Sequence, residues 1–163
     1  MLKQFAAIAA VITLLSAPAV AQNASQIAAV KSGKSCANCN LFQAELGYQD
    51  GSGMNLSGAR LRQSDLSLVT YNNVNFSGAN LSVANLFGAR FNHCNFAKAN
   101  LSHTSAVGTY FGSSNFSGAN LSSANLSGAD LSIARGLSQS QLNRACGDRS
   151  TRLPAGKTIP RCR

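Results

Sequence analysis

Five cysteines, two histidines and five acids are the residues through which this chain of 163 could do chemistry, and their spacing decides which. Cys36 and Cys39 form a Cys-x-x-Cys pair, a spacing shared by redox sites, half zinc sites and local disulfides. Zinc would need two more ligands, and the histidines, His93 and His103, lie far along the chain. A redox cysteine ordinarily opens a helix that lowers its pKa, whereas Cys39 opens a run of short repeats. A structural disulfide Cys36–Cys39 is therefore preferred, with a redox pair or free thiols as alternatives. Cys146 and Cys162 bracket a loop containing Pro154, Gly156 and Pro160. In an oxidising compartment a bridge closing that loop is the economical reading, worth about 3 kcal/mol by loop entropy. Cys94 occupies a small position of the repeat and reads as a buried thiol rather than a nucleophile. The acids Glu45, Asp50, Asp65 and Asp130 are scattered, so no Ser-His-Asp arrangement forms. The expectation is a chain with no catalytic residue, no metal site and no cofactor.

The elements that must position these residues repeat every five. In Asn115-Phe116-Ser117-Gly118-Ala119 and the two units that follow, a large apolar residue, position i, sits two after a small one, position i−2. Every fifth residue from Leu41 to Leu131 is Leu, Phe or Tyr, apart from Gly51 and Ala106. The i−2 positions hold Ala, Cys, Ser, Thr, Val or Met, with Gln49 the misfit. Five is the period of neither a helix nor a strand. A solenoid that turns a corner every five residues resolves this, pointing i and i−2 inward and the other three positions to water. Gly47, Gly51 and Gly53 predict a turn-rich bulge that keeps register but packs poorly at Gly51, and Ala106 predicts a partly empty or neighbour-filled corner.

Consecutive Ala-Asn/Asp-Leu/Phe-Ser-Gly units over 39–134 resemble the pentapeptide repeat family. The resemblance implies an all-β solenoid, a right-handed quadrilateral β-helix with four repeats per coil, and no shared catalytic residues. Four repeats per coil gives slightly under five coils, about 20 to 25 Å long at the ~4.8 Å spacing of paired strands. The open coil ends then need short helical or loop caps.

Residues 1–21 read as a secretory signal, with Lys3, an apolar run and Ala19-Val20-Ala21 as a cleavage site; an uncleaved anchor is the alternative. A periplasmic or secreted location follows, with no transmembrane segment after cleavage. Residues 22–38 form the N-terminal cap segment, with a short helix over 24–30 showing Ile27 and Val30 to the first coil. Residues 135–163 form the C-terminal helix and disulfide-closed tail. In them Ser138 and Gln141 have capping-box spacing, Leu137 and Leu142 occupy staple positions, and a helix of about 138–146 is predicted. From Asp148 onward turns are expected. The last segment also looks like the terminal extension of some exported bacterial pentapeptide repeat proteins. The net charge of +9 is densest there, in Arg144, Arg149, Arg152, Lys157, Arg161 and Arg163. Solubility explains that charge, and so does binding to an anionic surface.

With four repeats per coil, residues twenty apart stack. His93 and His103 then lie on opposite faces and cannot share a metal. Asn55, Asn75, Asn95 and Asn115 form one ladder and Asn80, Asn100 and Asn120 another. Turn stabilisation is their simplest role, and binding of a regular lattice or glycan is the alternative. One face breaks the polar rule, carrying Tyr48, Leu68, Phe87 and Val107 outward, with Gly88 and Gly108 beside them to admit another surface. Contiguous apolar side chains on a Ser, Asn and Gly surface suggest a contact site, unless a terminal segment covers them. The function expected is that of a non-enzymatic exported scaffold acting through its β-helix surface on a protein or envelope component, a homodimer included. The alternative is a basic-tail binder of anionic envelope components or extracellular nucleic acid, without sequence preference. Some pentapeptide repeat proteins resemble duplex DNA and engage type II topoisomerases; a basic chain with a secretory signal departs from that pattern. If the inward columns are assigned correctly, Leu121→Ala costs about 2 to 5 kcal/mol and Ser122→Ala under about 0.5 kcal/mol. Denaturant melts showing equal losses would place Leu121 outside the core.

Overall fold

A computed structural model describes residues 22–163; the secretory signal expected over 1–21 lies outside them. The chain winds as a parallel β-helix. Strands β1 (Asp50–Ser52), β2 (Thr70–Asn72) and β3 (Arg90–Asn92) pair in parallel, Asp50 with Thr70 and Thr70 with Arg90. Single bridges of the same twenty-residue step join Asn40 to Arg60, Glu45 to Asp65 and Asn55 to Asn75, so one coil pairs with the next at four places five residues apart. The segment 47–53 is not a bulge. It pairs in the same register as every other side.

Backbone hydrogen bonding explains why five residues suffice for a corner. Taking Leu56 as position i, its amide donates to Asn75 in the next coil, and the i+2 amide of Gly58 donates to Ser77. The amide of Ala59 closes the turn onto the Leu56 carbonyl, and that of Arg60 reaches back to Cys39. The remaining amide, of Ser57, donates to Oδ1 of Asn55 at 3.1 Å. This unit so satisfies all five donors. The turn holds its third residue at positive φ, a conformation that glycine adopts without steric cost. Among the described residues twelve that are not glycine adopt it too, including Tyr48, Leu68 and the β-branched Val83 at 59°.

The i and i−2 columns make the core, from Leu41 and Ala44 through Leu131 and Ala134. Its centre is aromatic: Phe76, Phe96 and Phe116 stack in one column, with centroids 5.0 and 5.3 Å apart, and Phe91 stacks on Phe111 at 5.5 Å in the adjacent one. The two columns meet edge to face, as Phe96 does with Phe111. Polar residues in the small column are satisfied by carbonyls: the hydroxyls of Ser64 and Thr104 donate to Leu61 and Leu101 of their own turn, and those of Thr109 and Ser114 to Leu86 and Phe91 of the preceding coil. Contrary to the poor packing expected at Gly51, that corner is filled. A Cβ there would lie 3.1 Å from the Tyr71 ring and closer still to the Met54 methyl, so these side chains already take the space. Ala106 is buried.

Side chains finish what the first and last coils cannot pair. Helix α1 (Ala24–Lys31) is N-capped by Asn23, buries Val30 and packs Ile27 against the core. Its Gln26 accepts from the Asn40 amide at 2.7 Å, and Ser35 accepts from Asn55 at 2.8 Å. Both amides thereby find acceptors although no coil precedes them. At the other end α2 (Gln139–Leu142) carries the full Ser138–Gln141 capping box and buries Leu142. Helix α2 is shorter than the 138–146 expected, because Arg144 and Cys146 turn to pair with the last coil through Ser123 and Leu126. Gln141 Nε2 donates to the carbonyls of Phe116 and Ala119. The tail is also more regular than turns alone, with Cys146 bridging Asn125, Arg152 bridging Asp130, and Arg161 bridging Gly147. The chain thus adds a partial sixth layer.

One polar atom of the core lacks a partner: among the described residues the Tyr71 hydroxyl is buried with no hydrogen bond. Burial, with Cys94 nearby, pushes its pKa up to about 12. Tyr71→Phe is therefore expected to stabilise the protein by about 1 to 3 kcal/mol, the cost of an unsatisfied buried hydroxyl. An unchanged or lower melting stability would mean that the hydroxyl has a partner.

Candidate contact face

The side built on Leu46, Leu66, Leu86, Ala106 and Leu126 presents two outward columns in register, fixed by the bridges Glu45–Asp65, Asp65–Asn85, Asn85–Ser105 and Ser105–Asn125. Tyr48 is 77% exposed, Phe87 51% and Leu68 42%, while Val107 is half-buried. Helix α1 caps the end of the coil stack and leaves these side chains uncovered. Gly88 differs from expectation. A Cβ there would fall 2.7 Å from Leu68 Cδ2, so Leu68 lies over it and closes the approach, whereas Gly108 has nothing within 4 Å. Val83 and Ile133 are exposed apolar residues on other sides, at 45% and 54%. Reading the i+2 positions of every side, rather than of one, would have found both.

Charge along the face is uneven. Glu45 and Asp65 stand in adjacent layers at its N-terminal end, with Asp50 at the next corner. Asp65 Oδ1 accepts from the Ser67 amide at 2.9 Å and from Asn85 Nδ2 at 3.0 Å. At the C-terminal end Arg149 and Arg161 line an open depression of about 430 Å³ together with Ser127 and Asp148. Asp148 fastens this end: its Oδ1 accepts from the amides of Gly128, Ser150 and Thr151 and from the Ser150 hydroxyl. The Ser150 hydroxyl foremost, then the Gly128 amide, lowers its pKa to about 2.

The cysteines fall into two bonded pairs, Cys36–Cys39 and Cys146–Cys162, with Cys94 free and buried. Cys39 packs in the first coil with no helix after it, and Cys162 lies within 3.5 Å of the Ser127 hydroxyl. Burial pushes the Cys94 thiol up to about 12, and its Sγ donates to the Tyr71 carbonyl, so thiolate chemistry is suppressed. His93 and His103 are exposed, and among the described residues no cluster of His, Cys, Asp and Glu could hold a metal ion. The Asn ladders bond to themselves and to the turns: Asn75, Asn95 and Asn115 each donate to the Asn one layer earlier, while the same Oδ1 atoms take backbone amides. Side chains so engaged have few donors left for a ligand. No helix among the described residues is long and apolar enough to cross a membrane.

The family model described as pentapeptide repeats matches residues 72–102 and 94–132, with eight copies. No curated protein matches the sequence. Among solved structures, full-length QnrB1, a plasmid-mediated fluoroquinolone resistance protein, is 16% identical over 78% of this chain and 90% of that one, with a TM-score of 0.48. A pentapeptide repeat protein from the Arabidopsis thaliana thylakoid lumen is 23% identical over 69% of this chain and 74% of its own, at 0.35. A cyanobacterial one from Cyanothece is 20% identical over 77% and 94%, at 0.30. At such identities and TM-scores nothing those proteins do transfers to this chain.

Asp148 gives the tail a pH dependence whose sign is fixed. Its folded pKa lies below the ordinary ~3.9, so its contribution is present above about pH 4 and is lost as pH falls toward about 2. Amide exchange at Gly128 and Ser150 is expected to lose protection over that window. Asp148→Asn, which keeps an oxygen acceptor but does not titrate, is expected to flatten the dependence; wild-type protection that stays constant down to pH 2 would contradict this role.

Proposed function

We propose that the chain, whose residues 72–132 match the pentapeptide repeat model, is a member of that family of non-catalytic scaffolds and an exported, periplasmic or secreted, non-enzymatic scaffold. Its coils are right-handed and quadrilateral, and it acts by contact through one side of them. Export rests on the charged start, apolar run and small-residue site of residues 1–21, and the two disulfides suit an oxidising compartment. The observation that carries the contact role is the exposed line of Tyr48, Leu68 and Phe87. Apart from Val107, the other i+1 and i+2 positions of that side are Gly or Ser, so a solvent role does not account for three large apolar side chains there.

Two specific observations favour second readings. Arg149 and Arg161 flank an open depression and, among the described residues, take part in no ion pair, which favours a basic-tail binder of envelope polyanions or extracellular nucleic acid. Its mark is retention on polyanions that falls steeply with salt and ignores sequence. The acids Glu45, Asp50 and Asp65 gathered near one edge favour, more weakly, contact with a type II topoisomerase by resemblance to DNA. A net charge of +9 opposes it, since a DNA mimic must be acidic. Inhibition of supercoiling in a purified topoisomerase assay would establish that reading in place of ours.

The direct experiment is capture from envelope extracts of cells lacking the chain. Wild type and Ser122→Ala are expected to retain the same partner, and Leu68→Ser with Phe87→Ser to lose at least about tenfold, the loss expected for an apolar anchor of a contact site. Equal capture by all three would remove the face from the function.

A further inference from the structure

The contact face has a symmetry that its apolar residues alone do not reveal. Six layers succeed one another along it: those of Glu45 to Tyr48, Asp65 to Leu68, Asn85 to Gly88, Ser105 to Gly108, Asn125 to Gly128, and the tail layer that begins at Cys146. The first two carry the acids Glu45 and Asp65, the middle two carry Phe87 and Val107, and the sixth carries Arg149 with Arg161 beside it. Among the described residues the one ion pair is Arg152 with Asp130, so Glu45, Arg149 and Arg161 have no charged partner within the chain. Asp148, also in the sixth layer, turns its Oδ1 to Gly128, Ser150 and Thr151.

We propose that the occupant of this face is a second copy of the chain, docked antiparallel about a two-fold axis that lies in the interface at right angles to the coil axis. This rests on the reading of the face as a contact surface and names its partner. In that arrangement the first layer of one copy opposes the sixth of the other, the second opposes the fifth, and the third opposes the fourth. Glu45 and Tyr48 then meet Arg149 and Arg161, where carboxylate and aromatic ring both attract a guanidinium. Leu68 meets Gly128, and Phe87 meets Val107 at the centre, each contact occurring twice as a two-fold interface requires. A parallel pair would instead set Arg149 and Arg161 against themselves, and Glu45 and Asp65 likewise. The strip, six layers and hence five strand spacings, is roughly 24 Å long and is smaller than the roughly 800 Å² per partner of standard interfaces. The dimer is accordingly weak, reversible and sensitive to salt.

Sedimentation equilibrium of the purified, oxidised protein tests this. Wild type is expected to dimerise reversibly and to weaken as salt is raised. Glu45→Arg with Asp65→Arg, or Arg149→Glu with Arg161→Glu, is expected to raise the dissociation constant roughly tenfold or more, since reversal turns two exposed attractions into repulsions. The chain carrying all four substitutions is expected to regain the dimer; a parallel pair, which sets like charges against themselves before and after each reversal, would be weakened by neither double reversal. Phe87→Ser, a change at an exposed side chain, is expected to abolish it, with circular dichroism verifying the fold of every variant. A wild type that stays monomeric at high concentration overturns the dimer while leaving the capture experiment to judge the face. Folded four-substituted protein that stays monomeric overturns the antiparallel arrangement.

Discussion

The structure depends on a single closure condition: five residues must bring the chain round a corner with no amide left over. The amides at i and i+2 go forward to the next coil, that at i−1 goes back to the previous one, and that at i−2 closes the turn. Only the i+1 amide lacks a backbone acceptor. Where position i−1 is Asn or Asp its side chain supplies one, as Asn80 does for Ser82 and Asp130 for Ser132. The abundance of asparagine thus follows from backbone accounting, and the ladders along the outside are a consequence of the same side chains standing one layer apart. With the backbone satisfied, the inward columns need only fill volume, and Leu, Phe and Ala alternate to do so.

A solenoid of this kind is vulnerable at its ends, and each end is finished by side chains that imitate a missing coil. Gln26 and Ser35 accept where a preceding coil would, and Gln141 and Thr151 donate where a following one would. The bridge Cys36–Cys39 braces the first of these ends and Cys146–Cys162 the second. Asp148 adds a charge-dependent fastening at the second. Chemistry-bearing residues are in this way absorbed by architecture: the cysteines are bonded or buried, and the asparagines serve turns. The largest exposed apolar side chains that share one side are Tyr48, Leu68 and Phe87, with charges at both ends of that line.

Much of this was legible from spacing. The five-residue period identifies which side chains turn inward, and Ser138 with Gln141 marks the C-terminal helix start, because capping depends on residues three apart. What was not legible depended on contacts distant in sequence. Three glycines near Gly51 suggest looseness, yet Met54 and Tyr71 fill that corner from neighbouring units. Gly88 reads as an opening, and Leu68 from the layer before covers it. The tail from Asp148 lacks the repeat altogether and still pairs with the last coil, since backbone pairing asks nothing of side-chain period. Leu68, Phe87 and Val107 could be placed on one side by counting in twenties, whereas Arg149 could join that side only once the tail was seen to form a sixth layer.

Residue-resolved native-state hydrogen exchange addresses the closure condition most directly. In the central coils the amides at i and i−1, such as Phe96 and Asn95, are expected to exchange only through global unfolding. The i+1 amide of Ala97, held by the Asn95 side chain at 3.1 Å, is expected to exchange faster, and faster still in Asn95→Ala with its neighbours unchanged. Protection that is uniform around the corner, or an Asn95→Ala variant whose Phe96 and Asn115 amides lose protection as fully as Ala97, would contradict a coil held by backbone stacking and closed by asparagine.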